Sequence, residues 1–133
     1  MTIALRYLED VKARLAASPS IAHIETVTER SIQDRGYFRA RLVLINGDFL
    51  ELSEYFIIRQ NKPETLEYRY QWMDSEKQTL IRRWDNARHF PNLADFPDHI
   101  HLGSDNLVIP GQAMNILDLI EVIEQEIGLQ PAR

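Results

Sequence analysis

The sequence predicts an α+β fold: an N-terminal helix, an antiparallel sheet of about five strands, a long histidine-containing loop and a C-terminal helix. Three observations predict it. Apolar residues recur at helical spacing at both ends of the chain, they alternate at period two between those ends, and an Asn-Gly pair separates two of the alternating runs.

Residues 2–16 form the first predicted helix. Thr2 can cap it, Ala4, Leu8, Val11 and Leu15 make one stripe, and "ASPS" stops it. "IAHIETVTERSI" alternates and is rich in β-branched residues, which gives a first strand. After "DRG", residues 37–45 put Phe38, Ala40, Leu42 and Leu44 on one face and Arg39 and Arg41 on the other. Asn46-Gly47 favours a type I′ turn, so 37–45 and 48–59 should pair as a hairpin. "NKPE" reads as the next turn, and "TLEYRYQWM" and "TLIRRWD" as a further hairpin across "DSEKQ". Tyr68, Tyr70 and Trp72 share a face. An odd loop sets them against Leu80, Arg82 and Trp84, an even one against Ile81, Arg83 and Asp85. Residues 86–110, with three prolines and a glycine, read as a long connection, and connections of that length are disproportionately functional. A helix over about 112–127 closes the chain, with Ile116, Leu119, Ile120, Ile123 and Ile127 on one stripe and Gly128 as its stop.

Composition bounds the function. With 133 residues, 44% apolar and 26% charged, the chain suits one globular domain and not a disordered segment. No apolar run approaches the ~18 residues of a membrane span, and the acidic Glu9 and Asp10 near the start argue against a signal peptide. The absence of cysteine excludes disulfides and thiolate chemistry and fits a cytoplasmic location. The net charge of −5 opposes a broad nucleic-acid grip, yet residues 58–90 carry +2 and residues 91–133 carry −6. The basic excess therefore precedes the histidine stretch.

That stretch, "DNARHFPNLADFPDHIH", holds His89, His99 and His101 within thirteen positions. On an extended segment the His99-x-His101 pair puts both imidazoles on one side. Three chemistries fit: histidines that only satisfy backbone groups, acid–base catalysis, or a metal held with Asp85, Asp95 or Asp98. No standard zinc spacing is present. Arg82 and Arg83 lie on opposite strand faces, and one of them can hold a phosphate bidentately; pairing with a surface carboxylate such as Glu67 is the plainer role. Asp85 can orient His89 or serve as a turn residue. Tyr70 and its aromatic neighbours can stack on bases or fill the core. Glu51 and Glu54 fall on opposite faces, which removes a paired-carboxylate site, and no Walker A loop, GxGxxG, HExxH or GxSxG is present.

The run "YRYQWMDSEKQTLIRRWDNARHFPNLADFPDHIH" resembles the core of the TumE-like toxins of toxin–antitoxin pairs. The matching residues are Tyr68, Arg69 and Tyr70, then Asp85, Asn86 and Ala87, then His89, Phe96, Pro97, His99 and His101. Phe90 stands where the family usually repeats histidine, and Asp98 where the first histidine of a Phe-Pro-His-His run would be. More loosely the likeness extends over the helix–strand start and the closing helix, so it covers most of the chain, which is taken as one domain of residues 1–133. It implies a toxin neutralised by a cognate antitoxin, and for small toxins RNA is the expected substrate.

The leading expectation is a metal-independent ribonuclease. His89, His99 and His101 would act as general acid and base, Asp85 would orient His89, and Arg82 or Arg83, with Tyr70, would bind substrate. No cofactor is required on that reading. The alternatives are a non-catalytic protein-binding module using the acidic last segment, and a divalent-metal hydrolase with His89, His99 and His101 as ligands. Partners expected are the antitoxin and RNA but no membrane, with homo-oligomerisation left open. His23 is taken as structural.

Overall fold

The computed structural model describes residues 1–103, 105 and 107–128. Their elements run α1 (Ile3–Ala17), β1 (Ile21–Ile32), β2 (Arg35–Leu44), β3 (Phe49–Arg59), β4 (Lys62–Met73), β5 (Leu80–Asp85), β6 (His99–Leu102), β7 (Leu107–Pro110) and α2 (Ile116–Gly128). All seven strands join one antiparallel sheet in sequence order, so every strand pairs with its chain neighbours. Two strands more than expected arise because β6 and β7 form within the stretch read as a connection.

Each element follows from its sequence. Thr2 caps α1 by accepting from the Leu5 amide at 3.1 Å. The start of α2 lies at Ile116 rather than residue 112, because Asn115 and Asp118 cap it reciprocally: the Asn115 amide donates to Asp118 and the Asp118 amide to Asn115. The hairpin around Asn46-Gly47 is present, but its turn is not type I′. The Gly47 amide donates to the Leu44 carbonyl and Gly47 takes a φ of 92°, the three-residue loop with a bulged glycine. The positive-φ pair is instead Gln60-Asn61, at 51° and 62°, which joins β3 directly to β4 and draws Lys62 to Glu64, read as a turn, into the strand.

Both helices cover one face of the sheet. Phe38, Ala40, Leu42 and Leu44 of β2, Leu50, Leu52 and Phe56 of β3, Tyr68, Tyr70 and Trp72 of β4 and Trp84 of β5 are buried there. They meet Ala4, Tyr7, Leu8, Val11 and Leu15 of α1 and the isoleucine–leucine stripe of α2. Each large side chain so buried contributes about 1.5–3 kcal/mol. The β4–β5 register is the odd-loop one, with Tyr70 opposite Trp84. It sends Arg83 and Asp85 to the face that the helices leave open.

Glu54 is the exception in this core. Only 1% exposed, its carboxylate accepts from the Tyr7 hydroxyl, the Thr65 hydroxyl and the Ile116 amide, tying β3 to both helices. Gly36 of β2 lies opposite Phe56, whose ring covers it; an added Cβ would sit 2.2 and 2.5 Å from ring atoms. Gly36→Ala should therefore cost about 1–3 kcal/mol through overpacking, read as a lower thermal midpoint.

Candidate active site

The site is a product of strand register. Asp85 lies directly opposite His99, and Arg83 opposite His101, on neighbouring strands β5 and β6. At period two, all four side chains share the open face. The Asp-Asn-Ala sequence that ends β5 fixes the geometry. The Asn86 side chain accepts from the Tyr68 amide and donates to the Leu66 carbonyl, continuing the ladder by side chain where the strand stops. Asp85 Oδ1 accepts from the Ala87 amide at 3.0 Å.

Asp85, 5% exposed, is the hub. Its Oδ1 lies 2.8 Å from His99 Nε2, and its Oδ2 lies 3.1 Å from Arg83 Nε and 3.4 Å from His101 Nε2. His99 is 2% exposed, with Nδ1 at 2.9 Å from the Pro97 carbonyl oxygen. Both of its nitrogens thus face acceptors, and a positive charge is needed between Asp85 and Nε2, supplied by a proton or a metal ion. His99 Nε2 is also 3.1 Å from His101 Nε2. Arg83 Nη2 reaches that same His101 nitrogen at 3.0 Å. A guanidinium can only donate, so His101 Nε2 accepts and the ring is neutral. Burial first, then the Arg83 charge, lowers the His101 pKa below its ordinary 6.5.

The cluster opens into a cleft of about 870 Å³. Arg69, Arg83, Asp85, Arg88, His89 and His101 line it, whereas buried His99 does not. Phe90 closes the other side. Its ring stands edge-on to His99 (4.9 Å between centroids), His101 (5.9 Å) and His89 (6.4 Å).

Several expected roles change. Asp85 partners His99 and His101, whereas exposed His89 reaches the cluster only through Phe90. Register pairs Asp85 with β6 and leaves His89 on the connection. Arg82 faces the helices, where it pairs with Glu126 at 3.3 Å, so of the two arginines Arg83 alone reaches the cleft. Tyr70 is fully buried and donates its hydroxyl to the Met114 carbonyl, which removes it as a substrate contact. Asp98 accepts from the Tyr68 hydroxyl at 2.7 Å and stays outside the cluster. Among the described residues, the group able to hold a metal is Asp85, His99 and His101, with ligand atoms within 4.8 Å of one another; His89 is not in it. His23 is exposed on β1 and packs in no core.

No helix among the described residues is long and apolar enough to cross a membrane. A family model described as Toxin TumE matches residues 11–127, most of the chain. No curated protein and no solved structure matches it.

Proposed function

Since this chain belongs to the TumE toxin family, we propose that the Asp85–His99–His101 cluster is the centre of a ribonuclease. As a family member the chain is the toxin component of a toxin–antitoxin pair, and its partner is the cognate antitoxin. One observation carries the reading. A neutral, cleft-facing histidine is backed by a buried histidine–carboxylate pair and touched by an arginine.

The cleavage proceeds as follows. The RNA phosphate enters the cleft and draws the Arg83 guanidinium from His101 Nε2. Freed, that nitrogen presents its lone pair, the proton of the neutral ring being on Nδ1, and becomes the base. Nε2 takes the 2′-hydroxyl proton, the 2′-oxygen bonds to phosphorus, and the bond from phosphorus to the 5′-oxygen breaks; the Asp85 carboxylate, with Oδ2 at 3.4 Å, stabilises the imidazolium so formed. The His89 imidazolium gives its proton to that leaving oxygen. Arg83 holds the charge that develops on the phosphoryl oxygens. His99 touches no substrate; it holds Asp85 and His101 in place. This reading puts the protein in the cytoplasm, with its RNA substrate.

A second reading is a divalent-metal hydrolase, favoured by the convergence of one carboxylate oxygen and two Nε2 atoms with the His99 Nδ1 hydrogen bond behind them. The Arg83 guanidinium, 3.0 Å from one of those Nε2 atoms, weighs against it.

Purified protein incubated with labelled RNA should cut it in the presence of EDTA, and His101→Ala should cut about 10²–10⁴-fold more slowly. The acid limb of the pH–rate profile should lie below 6.5, because the His101 pKa is lowered. Cutting abolished by EDTA would transfer the assignment to the metal site. No cutting by folded protein would leave the non-catalytic binding module.

A further inference from the structure

We propose that the open face of the sheet is a track for single-stranded RNA, with Tyr37 and Tyr55 as its base-stacking platform. This rests on the ribonuclease reading of the cleft and extends it from the reacting phosphate to the flanking nucleotides.

The helices cover only one sheet face. On the other, Tyr37 of β2 and Tyr55 of β3 stand directly opposite one another, both partly exposed. Directly opposite partners on one face have Cβ atoms about 4.5–5.5 Å apart, so the two tyrosines stand side by side on that face. They line the same cleft as Arg83 and His101. At ~4.8 Å per strand, three spacings separate β6 from β3 and four separate β6 from β2, a distance of roughly 15–20 Å. A short oligonucleotide covers that span.

Charge favours a phosphate chain along it. Arg69 lies between the tyrosines and the cluster, and its side-chain partner among the described residues is the neutral Gln71. Arg88 lies over the Phe96 ring, and Arg35 donates to the Tyr55 hydroxyl at 3.1 Å. Among the described residues these three guanidiniums have no carboxylate within ion-pair distance, whereas Arg39 pairs with Glu51 and Arg41 with Glu51 and Glu25. Cations without acidic partners, alternating with aromatic faces, are the elements of a sequence-tolerant single-strand site. Glu67, opposite Tyr55, lines the cleft as Asp85 does, and its charge directs the phosphates to the Arg69 side.

The test is binding of a fluorescent 2′-O-methyl oligonucleotide, which offers no 2′-hydroxyl and cannot be cut, to the full chain. Tyr37→Ala combined with Tyr55→Ala should weaken binding about tenfold or more. The corresponding double phenylalanine variant should bind as the wild type does, and Glu67→Gln should bind more tightly. Arg69→Gln should flatten the salt dependence. A duplex of the same sequence should bind more weakly, since its bases are not free to stack. Equal binding of duplex and single strand, an unaffected double alanine variant of normal thermal midpoint, or loss of antitoxin binding instead of RNA binding in that variant would overturn the track. The readout needs no cleavage. A track without cutting would refute the ribonuclease alone, and cutting without these binding effects would refute the track alone.

Discussion

Replacing Asp85 by asparagine is expected to slow RNA cleavage about 10²–10⁴-fold in a protein that still folds. Four donors converge on this carboxylate: Arg83 Nε, the Ala87 amide, His99 Nε2 and, once protonated, His101 Nε2. Asparagine keeps the shape but turns one acceptor into a donor and removes the charge that stabilises a protonated His101. The cost in stability should be about 1–3 kcal/mol, because one buried oxygen still accepts. Cleavage rate and thermal midpoint measured on one preparation separate the two effects. A folded Asp85→Asn protein cutting at the wild-type rate would remove Asp85 from the mechanism.

The second large effect is expected at Glu54, far from the cleft. Glu54→Ala strips the Tyr7 hydroxyl, the Thr65 hydroxyl and the Ile116 amide of their buried acceptor. About 3–5 kcal/mol should be lost, a large share of the ~5–15 kcal/mol of a typical domain. The thermal midpoint should fall by roughly 10–20 °C. Burial raises the pKa of Glu54 above its ordinary 4.5, an effect that the same hydrogen bonds partly offset. A raised folded-state value means that the folded protein binds this proton more readily than the unfolded chain. The resulting stabilisation is full below the ordinary value and is lost as pH rises through the raised one. Urea melts at about pH 5 and about pH 8 should therefore show the wild type losing ground against Glu54→Gln as pH rises. A pH-independent difference would refute this assignment of the proton.

What the sequence disclosed, and what it did not, divides along range of interaction. Alternation in "YFRARLVL" and "EYRYQW" is a local property, and those strands and their buried faces are as expected. The helical stripes are local too. "HIHL" and "LVIP" are four residues each, too short to establish a period among prolines and glycines, so β6 and β7 were hidden. The site followed the same division. The residue types and the shared side of His99 and His101 were legible, but their partner was not, because pairing Asp85 with His99 requires knowing that β6 exists. Loop parity left Arg82 and Arg83 equivalent until Tyr70 was found opposite Trp84. Phe90, read only as a missing histidine, proved to be the ring packed against the two that remain.

The strict sequential order of the seven strands bears on how the protein is made. Each strand can add to the one before it as the chain leaves the ribosome, since nearly every pairing closes a short loop. The cluster at β5 and β6 draws on residues 83–101, so it cannot assemble until residue 101 has been synthesised and β6 can pair. Glu54 and Tyr70 wait longer still, for partners at Ile116 and Met114. Truncated products lacking β6 therefore carry no assembled cluster.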